Sequence, residues 1–288
     1  MNTILVTGSK GQLGSELNKL STEFPDLSMT FTDIEELDIT NMSSLKLFFD
    51  NQKYTYIINA AAYTAVDKAE SEQKKAALIN VQGVSNLARL ATNYKMHLFH
   101  ISTDYVFDGK NNVPYNEDDT VNPLGVYGKT KLQGEIEALR HTDTVVIRTS
   151  WLYSSYGTNF VKTILKYAKE REALNVVYDQ IGSPTYAADL ARAILTLINE
   201  NVHHHHLFKR GIYHYANEGV CSWFDMAYEI VQRFELPCKI IPILTKDYPT
   251  VAKRPAYSVF DTSKFKQTFE QSIPYWRISL DECLTLLK

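Results

Sequence analysis

Short apolar segments alternate with helix-like segments along the first half of the chain. Each strand candidate is a short, nearly continuous apolar run, as expected for strands that are covered on both faces. The strand candidates are residues 3–7, 28–32, 56–59, 97–102 and 144–148. The helix candidates between them are residues 13–20, 43–51, 74–94 and 129–139. This alternation predicts the α/β class, with a doubly wound parallel sheet of the Rossmann type.

The second half of the chain is less regular and is interrupted by prolines. Its helix candidates are residues 159–171, 187–200 and 223–234, and its strand candidates are residues 212–215 and 239–243. We therefore expect a dinucleotide-binding domain over residues 1–153. Residues 154–288 are predicted to form mainly a smaller mixed α/β substrate-binding lobe, with some segments returning to the large sheet.

Composition and charge exclude several classes of function. The 288 residues are 44% hydrophobic and carry a net charge of -3, which predicts no broad attraction for nucleic acid or an anionic membrane. No apolar run approaches the roughly 18–20 residues that span a bilayer, and Met1 leads directly into a strand candidate. Cys221, Cys238 and Cys283 are far apart, so neither a disulfide framework nor a zinc cluster is expected. These features predict a cytoplasmic protein.

Three glycines follow the first strand candidate and lead into a helix candidate. Gly8, Gly11 and Gly14 can provide a tight turn, close approach of the backbone to a pyrophosphate, and close packing of helix on strand. Their spacing differs from the Gly-x-Gly-x-x-Gly fingerprint, and a turn that serves packing alone is the alternative. Their position between a strand and a helix favours nucleotide binding.

Acidic and small residues follow the next two strands. Asp33 is placed to accept hydrogen bonds from the adenosine ribose, which disfavours a 2′-phosphate, and Asp38 offers a second acidic site for the adenine edge. Lys10 in the turn favours a phosphate instead, so NADH and NADPH both remain open. Ala60, Ala61 and Ala62 would let a flat cofactor lie against the backbone, although an alanine-rich helix start would give the same pattern.

A hydroxyl and a Tyr/Lys pair indicate carbonyl reduction. Tyr127 and Lys131 are four residues apart, which places them on one face of a helix. Tyr127 can donate a proton to a carbonyl oxygen, and we expect the Lys131 ammonium to lower the pKa of this phenol from about 10 and to contact the nicotinamide ribose. Thr103, which ends the fourth strand, can hold the same oxygen, and Asp104 can orient substrate hydroxyls. Each residue alone would be unremarkable; their combination with the glycine turn favours function.

Two other polar clusters carry weaker signals. Residues 117–119 form an acidic run, for which a solvated loop is favoured over a metal site. Residues 203–206 are four consecutive histidines, for which adventitious metal binding is favoured over a physiological role.

Segments spread over nearly the whole chain resemble the extended short-chain dehydrogenase/reductase superfamily and, within it, the dTDP-4-dehydrorhamnose reductase family. The matching segments are residues 59–70, 102–109, 122–127, 148–153, 179–185 and 254–255. The resemblance implies reduction of the 4-keto group of dTDP-4-dehydro-6-deoxy-L-mannose to give dTDP-L-rhamnose, with NADH or NADPH as cofactor. It further implies cofactor contacts at Gly11, Gln12, Leu13, Asp38, Ile39, Ala62, Tyr63 and Thr64.

The same resemblance assigns roles at the reacting end of the site. It implies that Tyr127 is the proton donor, with Lys131 and Thr103 beside it. Asp104 and Trp151 would contact the sugar of the nucleotide-sugar substrate. Arg254 would suit its diphosphate, because a guanidinium can bind this group through two hydrogen bonds.

One feature of the resembled family is not matched. Some members form dimers around a magnesium ion held by glutamates; Glu16 fits one such position, but Asp189 stands where another glutamate is usual, and no third ligand is evident. We therefore expect no metal site and either a monomer or a weak homodimer.

Two alternatives to this activity remain open at the level of sequence. One is a reductase of another nucleotide-linked 4-ketosugar, since the pocket loops that would decide are not readable. The other is a non-catalytic, cofactor-binding regulatory subunit resembling that of methionine adenosyltransferase. The presence of Thr103, Tyr127 and Lys131 together favours an enzyme.

Overall fold

Strands and helices are described within residues 2–141, 143–204 and 208–288 of the computed structural model. The strands are β1 (Asn2–Thr7), β2 (Leu27–Thr32), β3 (Tyr56–Asn59), β4 (His97–Thr103), β5 (Thr144–Thr149), β6 (Leu152–Tyr153), β7 (Ala173–Val177), β8 (Ile181–Gly182), β9 (Thr185–Tyr186), β10 (Gly211–His214), β11 (Cys221–Ser222), β12 (Lys239–Ile243) and β13 (Tyr257–Ser258). The α-helices are α1 (Gln12–Leu20), α2 (Met42–Asn51), α3 (Val66–Ala69), α4 (Gln73–Ala77), α5 (Val84–Asn93), α6 (Val126–His141), α7 (Phe160–Glu170), α8 (Ala187–His204), α9 (Trp223–Arg233), α10 (Ser263–Phe269) and α11 (Trp276–Thr285). A π-helical segment (Leu78–Gly83) joins α4 to α5, and 3₁₀ turns occupy Ser21–Glu23, Asp104–Val106 and Thr245–Asp247.

A six-stranded sheet, in the order β10-β5-β4-β3-β1-β2, is parallel at every pairing. Successive residues of β1 face opposite sides: Ile4 and Val6 join a core against α1 and α8, whereas Leu5 joins a core against α2 and α5. Because both faces are covered, the strands are continuous apolar runs rather than alternating ones. The predicted doubly wound sheet is confirmed, and each of its six predicted strands begins and ends within one residue of the observed bounds.

The predicted helix over residues 74–94 is interrupted in the structure by the π-helical segment. Its extra residue per turn directs the buried Asn80 side chain at the loop after β3, where Asn80 accepts a hydrogen bond from Tyr63 N–H at 2.8 Å and donates one to Tyr63 O at 3.1 Å. The apolar periodicity did not reveal this break, because Asn80 lies within an otherwise regular helical pattern.

The second half of the chain contributes to two cores. Helices α7, α9 and α11 enclose a separate apolar cluster with β7 and β12, whereas β10 pairs with β5 and joins the large sheet. The predicted helices at 159–171, 187–200 and 223–234 and the strand at 239–243 are found; α10, α11 and β7 were missed. Helix α11 begins just after Pro274, and its Trp276 is almost wholly buried. The division at residue 153 stays a prediction.

No helix of the described residues is both long and apolar enough to cross a membrane.

Candidate active site

A cavity of about 790 Å³ lies at the carboxyl ends of β1 to β5. Parallel strands bring their carboxyl ends to one edge of the sheet, which is where open α/β sheets bind ligands. The cavity is lined by the following residues that the sequence singled out: Gly8, Gly11, Gln12, Leu13, Asp33, Asp38, Ile39, Ala60, Ala61, Ala62, Thr64, Thr103, Asp104, Tyr127, Lys131 and Trp151. The side chains of Tyr63 and Arg254 are not part of this lining.

The glycine turn forms the floor of one end of the cavity. Gly8 has a φ of +71°, and a Cβ there would stand 2.6 Å from Ala61 N; a Cβ on Gly14 would stand 2.3 Å from Gly8 O. Side chains at these two positions would therefore collide with backbone. Gly11 caps α1 without a side-chain hydrogen bond, so the first amide groups of α1 remain available to an anion. This cradle fits the pyrophosphate of a dinucleotide.

Two loops flank the cradle. Asp33 follows β2 and accepts a hydrogen bond from Lys10 N–H at 2.9 Å, and Asp38 accepts two from Thr40, at 2.9 Å and 2.8 Å. Each carboxylate oxygen can accept more than one hydrogen bond, so both carboxylates can still receive ligand hydroxyl or amino groups.

Tyr63 is turned away from the cavity, although its neighbours in the loop after β3 line it. Its ring is buried, its hydroxyl group donates a hydrogen bond to Glu72 at 3.1 Å, and its backbone is bonded to Asn80. The contact of Tyr63 with the cofactor stays a prediction. Its loop neighbours Ala60, Ala61, Ala62 and Thr64 line the cavity instead.

Tyr127 and Lys131 lie one turn apart on the first turns of α6, facing the end of β4. Lys131 is 2% exposed, and its ammonium donates a hydrogen bond to Ile101 O at 2.6 Å. Thr103 is a neighbour of Tyr127 whose hydroxyl group lowers the pKa of that phenol, and it donates a hydrogen bond to Asp104 at 2.9 Å. The Tyr105 ring stands edge-on to the Tyr127 ring, with 5.4 Å between centroids. A phenol, a hydroxyl, an ammonium and a carboxyl group thus line the same cavity.

Burial governs the protonation of these groups. It raises the pKa of Tyr127, and the nearby Thr103 hydroxyl group only partly offsets this effect. The expectation that the pKa of this phenol is lowered is therefore wrong for the protein without ligands: burial raises it, and Lys131 is not among the groups that shift it. Burial also lowers the pKa of Lys131 to about 8, against the opposing effect of Glu135, and raises the pKa of Asp104 to about 6.

A buried ion pair that sequence reasoning missed lies beneath these groups. Arg148 of β5 donates two hydrogen bonds to Glu135 of α6, at 3.0 Å and 2.8 Å, and the two side chains are 2% and 1% exposed. Ser102 donates a third hydrogen bond to Glu135. Since Glu135 lies four residues after Lys131, on the same face of α6, the helical spacing could have pointed to it.

Trp151 and Arg254 belong to segments that follow β5 along the chain. Trp151 has an unusual φ of +48°, and its ring stacks on Trp223 with 3.5 Å between centroids and an 8° angle between planes. Arg254 is held outside the cavity lining by Asp67, at 2.6 Å, and donates a hydrogen bond to the Tyr105 hydroxyl at 3.3 Å. The structure thus brings Trp151 to the cavity wall, and it brings Arg254 into contact with Tyr105, which lines the same cavity.

Some cavity residues were not singled out from the sequence. Strand neighbours offered the clearest missed signal: Thr149 ends β5 directly beside Thr103 of β4, so both hydroxyl groups reach the same edge. Gly14 and Lys10, both considered in the glycine turn, also line the cavity. The further lining residues without a predicted role in the site are Ile34, Leu37, Thr40, Val66, Ile79, Ile101, Ser102, Tyr105, Leu152, Gly157 and Thr158.

The residues at the position implied for magnesium do not fit that ion. Glu16 is fully buried and accepts a hydrogen bond from Ser154 at 2.6 Å, and Asp189 accepts one from Asn217 at 2.6 Å. Burial raises the pKa of both carboxyl groups in the protein without ligands. No cluster of three or more His, Cys, Asp or Glu side chains able to hold a metal occurs within the described ranges.

The structure describes the acidic run at residues 117–119 and part of the histidine tract at residues 203–206. The expectation of a solvated acidic run is wrong for Glu117, which is buried and accepts a hydrogen bond from His214 N–H at 2.8 Å. In the histidine tract, His203 lies 3.3 Å from Asp26, whereas residues 205 and 206 fall outside the described residues.

Comparison with known proteins places the chain in a family. Residues 1–288 match the family described as RmlD substrate binding domain. The chain is 43% identical over 287 residues to a dTDP-4-dehydrorhamnose reductase of Aggregatibacter actinomycetemcomitans, with 97% of each protein covered. It is 40% identical over 286 residues to the spore coat polysaccharide biosynthesis protein SpsK of Bacillus subtilis, with 99% of this chain and 97% of that protein covered.

Two solved structures have the same fold over nearly their whole length. A dTDP-4-dehydrorhamnose reductase ortholog from Clostridium acetobutylicum is 40% identical, with a TM-score of 0.93 and 99% of each chain covered. The dTDP-4-dehydrorhamnose reductase of Bacillus anthracis, solved in complex with NADP, is 36% identical, also with a TM-score of 0.93 and 99% coverage of each chain. Because the match spans the whole chain and the nucleotide cradle is intact, the protein belongs to the RmlD substrate-binding-domain family, which it shares with dTDP-4-dehydrorhamnose reductases.

Proposed function

We propose that the protein reduces the 4-keto group of dTDP-4-dehydro-6-deoxy-L-mannose to give dTDP-L-rhamnose, with NADH or NADPH as the reductant. The observation that carries the proposal is the convergence of Tyr127, Lys131 and Thr103 on a cavity whose other end is the glycine cradle. Relatives that are 43% and 38% identical over nearly their full length carry the same reductase name, which supports the choice of substrate.

Tyr127 supplies the proton in this proposal. The reduced nicotinamide provides the hydride for the carbonyl carbon when it is bound, and the carbonyl oxygen takes the phenolic proton of Tyr127. Because burial raises the pKa of Tyr127, the phenol is protonated at neutral pH and the donor is ready before reduction. Thr103 lines the cavity beside that phenol and can hold the same oxygen in line.

Lys131 and the cradle position the reactants. With its pKa near 8, Lys131 is mostly charged at neutral pH, so its positive charge offsets the tyrosinate left after proton donation. Gly8, Gly11 and the start of α1 would hold the pyrophosphate, and Asp33 would receive the adenosine ribose.

The substrate side is formed by side chains from both lobes. Asp104, with a pKa near 6, can accept hydrogen bonds from sugar hydroxyls at neutral pH, and Trp151 offers its ring as a wall. Arg254 would bind the diphosphate by exchanging its bond to Asp67 for phosphate oxygens.

Reduced-nicotinamide absorbance tests the proposal directly. The purified protein is mixed with NADH or NADPH and dTDP-4-dehydro-6-deoxy-L-mannose generated in situ, and the product is identified by chromatography. We expect Tyr127→Phe to lose at least about 10²-fold in kcat while the Kd for NADH stays within about twofold. Tyr228→Phe, on the exposed surface, is the matched control. Unchanged kcat in Tyr127→Phe would remove this residue from the mechanism.

A second candidate substrate is another nucleotide-linked 4-ketosugar. A probable dTDP-4,6-dihydroxy-2-methyloxan-3-one 4-ketoreductase of Streptomyces antibioticus is 36% identical over 283 residues, covering 96% of this chain and 93% of that protein. Turnover of a different 4-ketosugar, with the rhamnose precursor inert, would favour this candidate. The regulatory-subunit alternative predicts cofactor binding without turnover of either sugar.

The assembly and location of the protein also remain proposals. We propose a monomer or a weak homodimer without magnesium, which sedimentation with and without a chelator would test. Cytoplasmic residence and the lack of nucleic-acid or membrane partners stay predictions from composition and charge.

A further inference from the structure

The loop after β2, beside the end of the cavity proposed to hold adenosine, carries an excess of acidic side chains. Lys10, the cavity-lining base nearest the end of β2, faces Asp33 and two glutamates of the same loop. Three carboxylates against one ammonium leave this cluster net negative. A 2′-phosphate adds close to two further negative charges at neutral pH.

Lys10 is already engaged by this loop. Its ammonium donates a hydrogen bond to the Glu35 carboxylate and lies 3.5 Å from Glu36 Oε1. The bond to Glu35 raises the pKa of Lys10, as expected for a cation held by a carboxylate. An ammonium in this position has to leave both carboxylates before it can meet a phosphate.

Glu36 also fixes the loop from which Asp33 projects. Its Oε2 accepts a hydrogen bond from Asp33 N–H at 2.9 Å, while Asp33 accepts one from Lys10 N–H at 2.9 Å. The backbone and side chain of Lys10 are therefore both bonded to the β2 loop. This arrangement holds the Asp33 carboxylate where the ribose hydroxyl groups of the cofactor would bind. It also keeps the Lys10 ammonium on the glutamates, away from the ribose position.

We propose that Glu35 and Glu36 set the cofactor preference of this protein in favour of NADH, by occupying Lys10 and adding negative charge where the 2′-phosphate of NADPH would bind. The inference rests on the proposed use of a nicotinamide cofactor in the cradle. It goes beyond that use, because Asp33 alone would leave Lys10 free to accept the phosphate.

Fluorescence titration of the purified protein with NADH and with NADPH measures the two Kd values without any sugar substrate. The variants are Glu35→Gln/Glu36→Gln, Lys10→Gln, and all three changes combined. Glu218→Gln removes a surface ion pair with Lys266 and serves as the matched control. All the altered side chains are largely exposed, so folding is expected to be retained.

We expect the wild-type protein to bind NADH more tightly than NADPH. The double glutamate variant should lower the ratio of Kd for NADPH to Kd for NADH by about three- to thirtyfold, the range that two exposed ion pairs allow. Lys10→Gln alone should change the ratio by less than about twofold, because the ammonium is already occupied. The combined variant, which also lacks the Lys10 ammonium, should lose most of this decrease in the Kd ratio.

Three results would overturn the inference: tighter wild-type binding of NADPH, an unchanged ratio in the double variant, or a large loss of NADPH affinity in Lys10→Gln alone. An equal decrease in the Kd ratio with and without the Lys10 side chain would also overturn the inference. Repulsion between the glutamates and the 2′-phosphate alone would then explain the preference. Failure of the proposed reduction is a separate outcome, because the Kd ratio is measured without turnover.

Discussion

Replacing Glu135 by glutamine should both destabilise the protein and shift its pH profile. The change keeps the shape of the side chain but leaves the guanidinium of Arg148 buried without its counter-charge. Both side chains are almost fully excluded from water, at 1% and 2% exposed, and they share two hydrogen bonds. Removing one partner of a buried ion pair costs about 3–5 kcal/mol, so we expect a loss of that size in the free energy of unfolding.

Urea unfolding followed by circular dichroism at pH 7 gives this free energy. The matched control is Glu23→Gln, whose ion pair with Arg192 spans 2.6 Å between side chains that are 48% and 53% exposed. An exposed pair contributes at most about 1 kcal/mol, so the two variants should differ clearly. A loss below about 1 kcal/mol for Glu135→Gln would refute the view that this pair supports the site.

The same variant tests the electrostatic coupling to Lys131. The carboxylate of Glu135 raises the pKa of Lys131 against the effect of burial, which lowers it to about 8. Without that carboxylate the pKa falls further, and Lys131 is charged only at pH values below its pKa. The alkaline limb of kcat should therefore move to lower pH. A folded variant whose alkaline limb stays in place would show that Glu135 acts on stability alone.

Two further variants test the cradle and the diphosphate side. Gly14→Ala should weaken NADH binding at least about tenfold in a fluorescence titration, because its Cβ would stand 2.3 Å from Gly8 O; Gly11→Ala, whose Cβ would stand 3.2 Å from Gly8 O, is the milder comparison, and equal effects would contradict the steric argument. Arg254→Ala should raise KM for the nucleotide sugar at least about tenfold and leave the Kd for NADH unchanged, because the lost guanidinium would bind the diphosphate. A parallel loss of NADH affinity in that variant would place Arg254 at the cofactor instead.

Much of the larger lobe was readable from local pattern. Strands covered on both faces are continuous apolar runs, and each was located to within one residue. Gly8 and Gly14 were readable because only a residue without Cβ fits where backbone meets backbone. Tyr127 and Lys131 were readable because the helical repeat places residues four apart on one face. The second half of the chain was less readable, because its short elements depend on long-range packing, as the burial of Trp276 after Pro274 illustrates.

The sequence by itself therefore determined the sheet and the cradle and pointed to the side chains proposed to react, because each follows from near neighbours along the chain. Tertiary structure decided the chemical state of those side chains. Burial, not the charge on Lys131, sets the direction of the pKa shift of Tyr127. Contacts between distant segments engage Arg254 with Asp67 and Glu135 with Arg148. The burial of a side chain and its charged partners depend on which distant segments pack together, and the spacing of residues along the chain does not predict that packing.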